Sequence, residues 1–141
     1  MYKQFFHALE HCADNTRLAL DDVIENLAFN ESQLIPVITQ DATTKEVLMF
    51  AWMSKASLQQ TLRTKRMTYW SRSRGQLWVK GETSGHTQHL VSMSFDCDGD
   101  AMLCLVNQSG AACHTERDGC FYLRVDIDKK QVIIEGDSPA S

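Results

Sequence analysis

Asp96-Cys97-Asp98-Gly99-Asp100 is the densest run of metal-binding side chains in this 141-residue chain. If the stretch is extended, alternate residues face the same side. Asp96, Asp98 and Asp100 then share one face and Cys97 points to the other. Three carboxylates held together repel one another unless a hard cation neutralises them, and an all-oxygen set suits Mg²⁺, Ca²⁺ or Mn²⁺. An EF-hand loop is excluded. Counting from Asp96, the sixth residue is Ala101 where glycine is needed, and the twelfth is Asn107 where glutamate is needed. The plain alternative is an acidic turn in water, but apolar strand-like runs flank it on both sides.

Cys97, Cys113 and Cys120 follow C-x15-C-x6-C. No C-x2-C pair exists, so this is not a zinc-ribbon pattern. Three thiolates bind Zn²⁺ and leave the fourth tetrahedral position open, which a catalytic zinc needs. Because Cys97 faces away from the aspartates, it can complete such a site with cysteines from elsewhere, including a second subunit. Cys113 and Cys120 bracket a polar stretch, whereas Cys104 in AMLCLV and Cys12 near the N-terminus read as small core residues. His114-Thr115-Glu116 matches the H-x-E of zinc deaminases, but no P-C-x-x-C follows.

A basic block precedes these motifs. Residues 55–80 hold Lys55, Arg63, Lys65, Arg66, Arg72, Arg74 and Lys80 and no acid, which is half of the chain's 14 cations. Tyr69, Trp70 and Trp78 are interleaved with them. Flat rings beside cations suit a ligand with both base and phosphate. The bland alternative is a solvated strand face with two core tryptophans. A net charge of −4 argues against a large nucleic-acid footprint, so a small phosphorylated nucleotide fits better. Lys80-Gly-Glu-Thr-Ser-Gly85 adds hydroxyls and flexible backbone amides that can form an anion-binding nest.

The elements that must position these groups read as α+β. Residues 1–30 look helical, with Leu18, Val23, Ile24, Leu27 and Ala28 at helix-like spacing. Residues 34–53 read as two strands around a polar turn at Asp41–Lys45, with Pro36 at a strand start or edge. Ser54 is an N-cap for a helix to about Lys65, with Leu58 and Leu62 on its inner face. From Met67 the pattern turns to short strands in MTYWSRSR, QLWVK, HTQHLVSMSF, AMLCLV, FYLRVDI and QVII. The expected organisation is a helical segment over 1–33 and a mostly β domain over 34–141, one domain overall.

Apolar residues make up 43% and charged residues 23%, a globular balance that excludes a disordered or fibrous chain. No apolar run approaches the ~18 residues of a membrane span, and the N-terminus lacks an export signal. The expectation is a cytoplasmic protein with no membrane partner. Its five cysteines, an odd number in a reducing compartment, are not read as a disulfide framework.

Together, QDATTKEVLMFAWM, YWSRSRGQLWVKGETSG, FDCDGDAMLCLV and GAACHTERDGCFY resemble the phosphoribosyl-AMP cyclohydrolase family of histidine biosynthesis, over about Leu34 to Tyr122. The resemblance implies Zn²⁺ at Cys97, Cys113 and Cys120 and Mg²⁺ at Asp96, Asp98 and Asp100. It also implies a compact, mostly β fold with flanking helices, and an intertwined homodimer that shares zinc ligands between chains. The pyrophosphohydrolase domain often fused to this enzyme is not expected after Ser141. The implied reaction is hydrolytic opening of the purine N1–C6 bond of an AMP carrying a phosphoribosyl group on N1. In that reading His114, next to a zinc ligand, transfers the proton, with His86 and His89 as secondary candidates. Arg72, Arg74 and Lys80 meet phosphate, and Ser71, Ser73, Thr83 and Ser84 donate hydroxyls beside Glu82. Trp70 or Trp78 stacks on the base. The rival readings are a nucleobase deaminase and a non-catalytic, metal-stabilised nucleotide-binding module.

Overall fold

The computed structural model describes residues 2–138. Its centre is a four-stranded sheet in the order β2-β1-β6-β5, formed by β1 (Leu34–Asp41), β2 (Val47–Ser54), β5 (Gln88–Phe95) and β6 (Met102–Gln108). The β1–β2 and β5–β6 pairs are antiparallel hairpins, while β1 and β6 run parallel. Pro36 pairs only with β2, one residue before the β6 ladder begins at Val37, so its missing N–H costs no central bond. Two small hairpins complete the β structure: β3 (Thr68–Ser71) with β4 (Gln76–Val79), and β7 (Leu123–Asp126) with β8 (Gln131–Ile134).

Strand alternation sets the core. Ile35, Val37 and Thr39 of β1 and Met49 and Met53 of β2 turn to one face and are buried, as are Met102, Cys104 and Val106 of β6. Helix α3 (Lys55–Thr64) covers part of this face through Leu58. Its start is fixed by a capping box in which the Ser57 N–H donates to Ser54 Oγ at 3.1 Å and the Ser54 N–H donates to Ser57 Oγ at 2.8 Å. Lys65 ends it in the left-handed conformation at φ 62°. A buried polar chain is satisfied here: Tyr69 Oη donates to Gln88 Oε1 at 2.6 Å, and Gln88 Nε2 donates to Gln108 Oε1 at 2.8 Å.

The N-terminal region departs from the expectation of continuous helix. It contains only α1 (Tyr2–Leu9) and α2 (Leu20–Glu25). Between them Asn15 adopts φ 67° and the Thr16 hydroxyl donates to the Ala13 carbonyl at 2.6 Å. Asp, Asn and Thr here compete with the helix for backbone groups. Leu18 is exposed rather than part of an inner face, and Cys12, beyond the end of α1, is exposed instead of buried. Phe6, Ile24 and Leu27 nonetheless join the main core.

Two apolar surfaces stay uncovered. The second face of the sheet carries Ile38, Phe50 and Leu103, neighbours across β1, β2 and β6. The β7–β8 ribbon exposes Leu123, Val125, Ile127, Val132 and Ile134 by 58–80%.

Candidate functional site

The β3–β4 hairpin, the loop after it and the loop after β6 enclose a cleft of about 460 Å³. Arg74, Trp78, Lys80, Glu82, Thr83, Ser84, Cys113 and His114, eight of the residues singled out from sequence, line it. Trp78 pairs with Tyr69 across the hairpin, and the two rings lie 5.6 Å apart. The loop after β4 folds back tightly at Gly81, which has φ +79°. A Cβ there would lie 2.3–2.5 Å from the backbone of His86 and Thr87, so no other residue fits. That turn brings His86 into the cleft lining. His89 instead sits at an isolated bridge with Arg66. Gln76 and Glu116 also line the cleft without having been assigned a role from sequence. The signal for Gln76 was adjacency to the basic hairpin; that for Glu116 was the H-x-E match at His114–Glu116.

Other expected groups lie elsewhere. Ser71 and Ser73 sit at the hairpin tip, where Ser71 Oγ accepts from the Arg74 N–H at 3.3 Å. The Arg72 guanidinium lies 4.9 Å over the Trp52 ring. Neither these three residues nor Trp70 lines the cleft. Lys80 is buried, and its Nζ donates to the Ala112 carbonyl at 2.7 Å. Burial draws its pKa below the usual lysine value, against the pull of the Cys120 and Cys113 thiols. Lys80, just after β4, thus ties the cysteine loop to the hairpin while still lining the cleft.

The cysteine loop is built by its own backbone. The Ala112 and Cys113 N–H groups donate to the carbonyls of Asp118 and Arg117, both at 3.2 Å, and the Cys120 N–H donates to Leu48 of β2 at 2.7 Å. Cys113 and Cys120 are near enough that each thiol shifts the other's titration. Desolvation pushes the Cys113 thiol up, but hydrogen bonds from Thr115 and Cys120 and the charge of Arg117 outweigh it and hold the pKa below the ordinary value. Partial desolvation and the adjacent Cys113 raise Cys120 to about 11. Two soft sulfur donors at one spot suit zinc.

The aspartate motif is a turn, not the extended segment expected. It closes the β5–β6 hairpin: the Asp96 N–H donates to Ala101 at 3.0 Å, the Gly99 N–H to the Asp96 carbonyl at 3.0 Å, and the Asp100 N–H to Asp96 Oδ1 at 2.9 Å. Asp-Gly chemistry wins over strand alternation here. The carboxyls of Asp96 and Asp100 still interact. Their hydrogen bond, partial desolvation and the charges of Asp96 and Asp98 raise Asp100. Partial desolvation works against Asp96, but hydrogen bonds to its carboxylate lower it. Cys97 is exposed on this turn, at the opposite end of β6 from Cys113 and Cys120. Cys97 thus precedes β6, whereas Cys113 and Cys120 follow it and the Cys120 N–H is bound at Leu48 of β2. Among the described residues no three His, Cys, Asp or Glu side chains converge as a metal-holding group. None of the helices is long and apolar enough to cross a membrane.

The profile of the family described as phosphoribosyl-AMP cyclohydrolase matches residues 49–122, which hold the cleft, the turn and all three motif cysteines. The phosphoribosyl-AMP cyclohydrolase of Roseobacter denitrificans is 55% identical over 126 residues, covering 89% of this chain and 97% of that protein. The Hyphomonas neptunium protein of the same name is 60% identical over 98 residues, 70% of this chain and 75% of the relative. The Chromohalobacter salexigens one is 49% identical over 129 residues, 92% and 88% respectively. The chain belongs to the phosphoribosyl-AMP cyclohydrolase family.

Proposed function

We infer that this protein is a hydrolase that opens the purine ring of phosphoribosyl-AMP at the N1–C6 bond, a step of histidine biosynthesis. The observation that carries the reading is the convergence, in a chain of this family, of an aromatic ring, cations, hydroxyls, a histidine and a thiol pair on one cleft. The face of Trp78 offers a stacking surface for the base. Arg74 with Thr83 and Ser84 offers charge and hydroxyls for phosphate.

Substitution at N1 leaves C6 electron-poor. Water adds to C6, and as the N1–C6 bond breaks its oxygen becomes the carbonyl while its two protons end on N1 and on the exocyclic nitrogen, which remains as the carboxamide NH2. His114 lines the cleft beside Cys113, where its imidazole can accept the first proton and return it to N1.

Cys113 and Cys120, with Cys97, are the residues that would hold zinc; when bound, zinc supplies the Lewis acidity that makes a water acidic near neutral pH. Asp96, Asp98 and Asp100 are the hard-oxygen set that would hold Mg²⁺. The close approach of the Asp96 and Asp100 carboxyls supports that assignment, since a divalent cation relieves their repulsion. A homodimer with zinc ligands from both chains accounts for Cys97 preceding β6 while Cys113 and Cys120 follow it. The uncovered Ile38, Phe50 and Leu103, and the Trp52 Nε1 buried on the same sheet face without an acceptor, support a second copy as the cover. Sedimentation analysis giving a monomer at micromolar concentration would remove that support.

The direct test follows ring opening of N1-phosphoribosyl-AMP by absorbance, with and without a zinc chelator. The expected result is turnover that the chelator abolishes and added Zn²⁺ restores. Release of ammonia, or binding without turnover, contradicts the reading.

A further inference from the structure

The N-terminal helices lie outside every motif, yet they reach the aspartate turn. Phe6 of α1 is 6% exposed, and its ring lies flat against Gly99 at the apex of that turn. A Cβ on Gly99 would come within 2.2–2.3 Å of two ring carbons, and φ there is +68°. The Ala28 N–H, just beyond α2, donates to the Gly99 carbonyl at 2.8 Å. Phe5 braces the Phe6 ring edge-on at 5.1 Å, and Ile24 and Leu27 anchor the end of α2 in the core.

We infer that Phe6 and the Ala28 N–H form a two-point clamp on Gly99 that fixes the turn backbone from which Asp96, Asp98 and Asp100 project. In the metal-binding sense it rests on the reading of the three aspartates given above. A turn carrying three carboxylates spreads under its own repulsion unless something external fixes its apex. The clamp grips from the core side, at the one residue without a side chain, and so leaves Asp96, Cys97, Asp98 and Asp100 free to face a ligand. Phe6 touches neither substrate nor metal. It is a positioning residue, and residues that orient ligands typically change metal affinity by about 10–100-fold when removed.

The test uses the full-length protein and three variants: Phe6→Ala, Phe6→Leu and, as a control on α3, Leu62→Ala. Hydrogen exchange reads the amides of residues 97–100, and an electron-paramagnetic-resonance titration reads Mn²⁺ affinity. Phe6→Ala should speed exchange at Gly99 and Asp100 and weaken Mn²⁺ binding, each by about tenfold or more. Phe6→Leu should fall between it and the wild type. Leu62→Ala should lower the melting temperature and change neither readout. A folded Phe6→Ala protein whose turn exchanges at the wild-type rate overturns the clamp. If Phe6→Ala does not fold, Phe6→Leu decides by the same criterion, faster exchange supporting the clamp and unchanged exchange refuting it. If the wild type takes up no Mn²⁺, the cation reading of the aspartates falls, and the exchange comparison still judges the clamp by itself.

Discussion

The two ends of β6 solve different problems. At the Gln108 end, the cleft is assembled within one chain: Lys80 ties the cysteine loop to β4, the Cys120 N–H ties it to β2, and Cys113 and Cys120 meet. At the Met102 end, the aspartate turn is gripped from behind at Gly99, while Cys97 stands exposed. One end holds two of the proposed zinc ligands; the other offers the third, beside an apolar cleft lined by Phe6, Leu18, Leu20, Val23 and Phe95. On the reading proposed above, each end is half of a site. Residues adjacent in a motif can serve halves that meet only between molecules.

The most severe way to break the comparison is to remove a sulfur from the Gln108 end. Cys113→Ser should lower kcat by about a thousandfold or more and abolish zinc retention, measured by turnover and metal analysis after dialysis. Cys104→Ser, which changes a buried thiol whose pKa burial raises to about 12, should keep the bound zinc. Next is Lys80→Met, which cuts the tie to Ala112. Zinc retention should fall by about 10–100-fold, with kcat lowered more than KM. A raised KM with zinc unchanged would return Lys80 to the phosphate-binding role expected from sequence. Trp78→Ala should raise KM by about tenfold or more through lost stacking, whereas Trp70→Ala should leave it within about twofold. Equal effects would mean that the cleft is not where the base binds.

The smallest effect concerns pH. The Asp41 carboxylate accepts the N–H groups of Thr44 and Thr43 at 2.8 and 2.9 Å in the β1–β2 turn, beside the strand that anchors Cys120. The Thr44 backbone hydrogen bond is the main cause of a pKa below 3.8. The unfolded chain therefore binds this proton more readily, so the stabilisation is present above pH about 4 and is lost as pH falls through the folded value. Asp41→Asn should lower the melting temperature by a few degrees at pH 7 and by less near pH 3, read by thermal scans at both pH values.

Much of this was legible in the residues because local chemistry and global fold agree. Ser54 predicts a cap and provides one, Leu58 faces inward, and the paired strands at 34–54 close where Asp41–Lys45 turns. The thiol pair and much of the cleft lining followed from residue type and order. What was not legible depended on turns and register. Asp96–Asp100 read as extended because alternation was applied to a segment whose Asp-Gly content favours a turn. Trp70 and Trp78, or Arg72 and Arg74, are equivalent by composition. Only the β3–β4 register, which sets Trp78 against Tyr69, separates them. Nothing in the sequence neighbourhood of Lys80 announces its bond to the Ala112 carbonyl, 32 residues away. The clamp of Phe6 on Gly99 spans the length of the domain and leaves no local pattern at all.

The central claim is that the two half-sites belong to different chains. Mixing Cys97→Ser protein with Cys113→Ser/Cys120→Ser protein, through unfolding and joint refolding, tests it most directly. Each variant alone should be inactive. In the mixed dimer one of two sites regains all three cysteines, so random pairing should recover about a quarter of wild-type turnover. A mixture as inactive as its parents, in which mixed dimers are demonstrably formed, would contradict a site shared between subunits.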